Sequence, residues 1–101
     1  MSEPVNLRDD GGGRFTLVGA VTLGTVTALR ARGLQAFGLG TGAIEVNLAG
    51  VARADSGALA LLVDWLAWAR AAGRELRYTA LPAALLALAR LSDTEDLLAG
   101  R

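Results

Sequence analysis

Ile44-Glu45-Val46-Asn47-Leu48-Ala49-Gly50-Val51-Ala52-Arg53-Ala54-Asp55-Ser56-Gly57-Ala58-Leu59-Ala60-Leu61-Leu62 is the stretch on which the fold of this 101-residue chain turns. Its first part, Ala43 to Leu48, is apolar and contains β-branched residues, which suit a buried strand. Ala49-Gly50 predicts a turn after it. Ser56-Gly57 then opens a helix that runs to about Ala72, where Gly73 stops it. A strand that passes through a short loop into a helix N-terminus is where open α/β sheets present their functional groups.

Working outward, Val5 to Asp9 predicts a short edge strand and Gly11-Gly12-Gly13 a permissive turn. Arg14 to Val21 alternates, with Phe15, Leu17 and Gly19 on one face, and closes a hairpin. Thr22 to Ala36 has helical spacing, with Thr22 as its cap. Gly33, Gly38, Gly40 and Gly42 mark a loop. Arg74 to Thr79 predicts a strand, and Pro82 suits the first turn of a helix over Ala83 to Leu91. Asp93 to Leu98 predicts a last short helix capped by Ser92 or Asp93. Strands alternating with helices imply an α/β fold with parallel pairing, a mixed sheet of four to five strands with covering helices. The length suits one domain over 1–101.

Composition excludes much. Ten arginines, no lysine and ten acidic residues give a net charge of zero. That balance offers no long-range attraction to nucleic acid or to anionic lipid. There is no cysteine and no histidine, so disulfides, Cys/His metal sites and catalysis by either residue are removed together. No metal and no cofactor is expected. No apolar signal core follows Met1, and the longest apolar run, Ala58 to Ala69, is too short to span a bilayer and carries Asp64. These features predict a cytoplasmic chain with no direct insertion into the membrane.

Gly38-Leu39-Gly40-Thr41-Gly42 has the glycine density of a phosphate-binding loop. It precedes a strand instead of a helix, and no Gly-Lys-Ser/Thr follows, so a nucleotide role lacks its required setting. Asp55-Ser56-Gly57 is more informative. Ser56 at a helix start reads either as an ordinary cap or as a contact or phosphorylation site. As a nucleophile it has no histidine or lysine to activate it. No two carboxylates face each other across an evident pocket, so acid–base catalysis is unsupported.

The helix after Ser56 is apolar on two sides. Leu59, Leu62, Val63 and Leu66 form one stripe; Ala58, Leu61, Trp65, Trp68 and Ala72 form another. The second stripe either lies under a neighbouring helix or is left open as a partner surface, where tryptophan is enriched. Left open, it would also allow two isolated copies to pair as a homodimer.

The run Ile44 to Leu62 resembles the signature of the STAS domain: an apolar strand, a short loop, Asp-Ser/Thr, small residues and a leucine-rich helix. Trp65-Leu66-Ala67-Trp68-Ala69-Arg70, Gly73-Arg74, and Leu81-Pro82-Ala83 through Leu88-Ala89-Arg90-Leu91-Ser92 are similar to its MlaB branch. The resemblance covers about residues 14–98. It implies a STAS fold and a non-catalytic accessory subunit of an Mla-type phospholipid-transport ABC complex. Such a subunit binds the cytoplasmic, MlaF-like ATPase and sits at the inner membrane only through the complex. Ser56 matches the family's Ser/Thr at the partner interface, with Asp55, Gly57, Leu61, Trp65 and Trp68 as further partner-binding candidates. In the anti-sigma-factor antagonist branch the equivalent serine is phosphorylated by a partner kinase. The family usually has one small residue and then glycine after the Ser/Thr, whereas Gly57 here precedes Ala58.

Overall fold

The computed structural model describes residues 5–99. Strands β1 (Asn6–Gly11), β2 (Arg14–Val21), β3 (Ile44–Ala54) and β4 (Leu76–Thr79) form one sheet in the order β1-β2-β3-β4. β1 and β2 are antiparallel, while β2, β3 and β4 run parallel. Helices α1 (Val26–Gly38), α2 (Ser56–Ala71), α3 (Ala83–Leu91) and α4 (Glu95–Leu98) complete the α/β architecture. The sheet has four strands, at the lower end of the expected range.

Alternation along the strands fixes which face is covered. Phe15, Leu17, Gly19 and Val21 of β2 are buried, as are Ile44, Val46 and Leu48 of β3 and Leu76 and Tyr78 of β4. Thr16, Val18, Ala20, Glu45 and Asn47, on the opposite face, keep partial contact with solvent. The core therefore lies between one face of the sheet and the helices, with α2 central and in contact with α1, α3 and α4. The Tyr78 hydroxyl donates to the Leu62 carbonyl of α2 at 2.7 Å and ties β4 to that helix. Burial pushes the phenol pKa far up. The two-pronged guanidinium of Arg32 donates from Nε and Nη2 to the Leu7 carbonyl of β1, at 3.2 and 3.1 Å.

Two glycines differ from expectation in ways that shape the molecule. Gly50 makes no turn: β3 continues through it to Ala54. A Cβ there would lie 2.5 Å from Val18 Cγ1, so this glycine lets β2 and β3 come close where their register shifts. Gly33 lies inside α1, not in a loop, and a Cβ on it would meet the Trp65 ring at 2.4 Å. The glycine turn after β1 matches the reading, with Gly11, Gly12 and Gly13 all at positive φ.

Helix starts shift too. Thr25, not Thr22, precedes α1; its hydroxyl accepts from the Thr22 N–H and donates back to the Ala20 carbonyl. Pro82 caps α3 and does not enter its first turn, and Thr94 stands where Ser92 or Asp93 was expected before α4. β4 begins at Leu76, two residues later than expected: the Arg74 backbone N–H is still bonded to the Ala69 carbonyl at the end of α2, at 2.8 Å.

Candidate functional site

The candidate site forms where β2 and β3 end and α1 and α2 begin. Asp55 precedes α2 with an extended backbone, and its Oδ1 accepts from the Gly57 N–H at 2.8 Å. It thus satisfies one of the unpaired donors of the first turn. The cap is Asp55 and not Ser56, because only the residue before the first helical turn can turn its side chain back onto those N–H groups. The other oxygen, Oδ2, accepts from the Leu23 N–H at 3.2 Å, across 32 residues of sequence.

That division of labour leaves Ser56 unencumbered. The residue is exposed at the first position of α2, and its hydroxyl makes no hydrogen bond with other described residues. Gly57 behind it is buried. A Cβ there would stand 2.8 Å from the Leu23 nitrogen and 3.0 Å from its Cα. The glycine directly after the serine, the departure from the usual STAS pattern, is what allows the Thr22–Thr25 loop to press against the helix start. The loop turns its leucine outward, with Leu23 69% exposed.

From Gly57 a groove of about 370 Å³ runs between α1 and α2, lined by Val26, Arg30, Ala31, Gly57, Ala60 and Asp64. Arg30 Nε and Asp64 Oδ2 bridge the two helices at 3.3 Å, both well exposed. An exposed pair of this kind contributes at most about 1 kcal/mol, so its role is to define the groove's charge pattern more than to hold the helices.

The tryptophan stripe is placed differently from an open partner surface. Trp65 is fully buried, and Leu61 almost so. α1 covers them: Phe37 meets the Trp65 ring edge to face at 5.2 Å, and Gly33 lets the helix backbone approach the ring. Trp68 is half-buried, tilted on Phe37 at 5.9 Å and overlaid by the Arg74 guanidinium at 5.7 Å. It also lies 12 residues beyond Ser56, roughly 18 Å along the helix. Asp55, Ser56 and Gly57 are therefore brought together with Leu23 as one surface, while Trp65 supports it from within and Leu61, 2% exposed, reaches only the floor of the groove.

The first stripe of α2 faces the other way. Val63, Leu66, Ala67 and Arg70 line a shallow apolar groove of about 350 Å³ with Leu97 of α4. Arg70 is the single charged side chain among the described residues that line it. Among the described residues no three acidic side chains come together as a metal-binding group, and no helix is long and apolar enough to cross a membrane.

Reading the sequence missed Leu23 and Thr25. The available signal was Thr22-Leu23-Gly24-Thr25, an apolar residue between hydroxyl and glycine neighbours at the strand-to-helix junction. Its proximity to Asp55 is a tertiary fact that no local pattern carries.

The arrangement offers a fixed surface and a free hydroxyl, which suits recognition of another protein. A search among individual curated proteins found no match. The family model described as Mlab, STAS domain matches residues 7–99. With that match spanning most of its length, and with the mixed sheet and helices expected of the fold, the chain belongs to the MlaB-like STAS domain family, a family of protein-interaction modules.

Proposed function

We propose that the chain is a non-catalytic STAS subunit that binds the cytoplasmic ATPase of an Mla-type phospholipid-transport ABC complex and supports its assembly or activity. On this reading it is cytoplasmic and reaches the inner membrane only through that complex. The observation that carries the proposal is the free Ser56 hydroxyl on the first turn of α2, without a hydrogen-bond partner among the described residues because Asp55 does the capping. Ala60, small and exposed one turn further along, lets another surface come close to the helix. The MlaB-like family match favours an ATPase as that other surface.

The test is recovery of the tagged chain from native membranes with identification of what co-elutes. An ABC ATPase retained by wild type and lost on Ser56→Arg is the expected result. Recovery without any ATPase would reject the assignment. Substitution of Trp65 is unsuitable for this purpose: emptying a fully buried tryptophan site costs about 3–5 kcal/mol, so lost binding would report unfolding.

A second reading rests on the same free hydroxyl. As an anti-sigma-factor antagonist, the chain would be switched by phosphorylation of Ser56, with a serine kinase as partner. Phosphate there is favoured by the helix dipole but adds two negative charges beside Asp55. Mass spectrometry of the protein from cells, showing Ser56 phosphorylated in proportion to kinase abundance, would support this reading over the first.

A further inference from the structure

One carboxylate bond and one missing side chain fix the position of Leu23. Asp55 holds its N–H, and Gly57 is bare where the loop crosses α2. Leu39 and Leu91 are also exposed, but no side chain from elsewhere in the chain hydrogen-bonds their backbone among the described residues. A single exposed leucine is ordinary; one whose backbone is clamped beside a free serine and an open groove is a presented group. We infer that Leu23 is a specificity-determining apolar anchor for the partner that docks at Ser56, and that Asp55 is the positioning residue that presents it. The inference rests on the docking reading above. It adds a chemical requirement: the ATPase carries a leucine-sized apolar pocket next to the point where it meets Ser56.

The physical argument is one of pre-organisation. An anchor on a mobile loop must be immobilised on binding, whereas one already held loses little freedom when it enters a pocket. The Asp55 carboxylate serves two elements at once, so a change at α2 is felt at Leu23. Asn at position 55 separates the two tasks. Its oxygen still accepts from the Gly57 N–H, but its amide offers only donors where the Leu23 N–H needs an acceptor.

The experiment measures affinity by calorimetry between the purified ABC ATPase recovered with wild type and four variants: Leu23→Ser, Leu23→Met, Asp55→Asn and the Leu23→Ser/Asp55→Asn double variant. Leu23→Ser should weaken binding about tenfold or more, from the lost burial of one leucine, with an unchanged unfolding midpoint. Leu23→Met should restore binding. Asp55→Asn should speed hydrogen exchange at the Leu23 amide and weaken binding, and the double variant should bind no worse than Leu23→Ser alone. Wild-type affinity in Leu23→Ser, or single effects that multiply in the double variant, would overturn the inference. If Ser56→Arg abolishes binding while Leu23→Ser does not, the anchor fails and the docking reading stands. If wild type recovers no ATPase, both fail.

Discussion

Gly33→Ala sets two familiar effects against each other inside one helix, and the geometry decides the sign. Glycine within a helix costs about 1 kcal/mol relative to alanine, so propensity alone predicts a gain. The added methyl, however, would lie 2.4, 2.5 and 2.6 Å from Cζ2, Cε2 and Nε1 of Trp65. Comfortable contact needs about 3.5–4.0 Å, so the ring or the helix must move by roughly 1 Å. The ring has little room to yield: it is fully buried, with Phe37 of the same helix packed edge to face on it at 5.2 Å. Overpacking of this kind costs about 1–3 kcal/mol. Contacts this short belong to the upper part of that range, about 2–3 kcal/mol, which less the propensity gain leaves a loss of about 1–2 kcal/mol and, for a domain of this size, lowers Tm by roughly 5–15 °C. Gly38→Ala is the internal control. That residue ends the same helix, with nothing within 4 Å of the new methyl, and should be neutral or gain a few tenths of a kcal/mol. Thermal unfolding followed by tryptophan fluorescence reports both. If Gly33→Ala raises Tm as Gly38→Ala does, the close approach of α1 to Trp65 is refuted.

Three further outcomes follow from two named groups. Tyr78→Phe removes the hydroxyl that bonds the Leu62 carbonyl, and urea unfolding should show a loss of about 1 kcal/mol. The Tyr78 phenol, raised by burial, stays protonated in the folded state after the unfolded chain would begin to ionise at about pH 10. Its contribution to stability is therefore complete below that pH and falls as pH rises above it. Ultraviolet titration should show this tyrosine ionising only with alkaline unfolding; an ordinary midpoint in the folded protein would contradict its burial. Asp10 accepts from Thr16 Oγ1 and from Arg8 Nε, and these bonds, the threonine's first, hold its carboxyl below the ordinary value of 3.8. Its share of stability is present above that value and is lost as pH falls through the lowered one. Thr16→Val should move its carbon-13 NMR titration midpoint up, and no movement would remove the hydrogen bond as the cause.

The alternation in Arg14–Val21 and the helical spacing after Ser56 made the order of elements legible, because both follow from burial on one face. Glycine was the chief source of error. A glycine marks a turn or a close approach of two backbones with equal local plausibility, and only the neighbour decides. Gly50 has Val18 as that neighbour and Gly33 has Trp65, each far away in sequence. The two stripes of α2 posed the same problem. A helix with apolar residues on two sides needs two sets of neighbours, and α2 has them in α1 on one flank and α3 and α4 on the other. The site was half legible: Asp55-Ser56-Gly57 stood out at the strand-to-helix junction. The split between a capping aspartate and a free serine emerged only from the two carboxylate bonds.

The Arg32 guanidinium on the Leu7 carbonyl has a consequence for how this chain behaves in a crowd of its own copies. β1 borders the sheet, and an uncovered border strand is a template on which another chain can lay a strand and begin a growing fibre. Arg32 places a charged, two-pronged donor on one carbonyl of that border, and Arg8, Asp9 and Asp10 add charges along it. An incoming strand must displace the guanidinium and bring its own backbone past those charges. Arg32→Ala would remove that guard while leaving the core intact, so its expected signature is not a lower melting point but slow, concentration-dependent loss of soluble protein on storage.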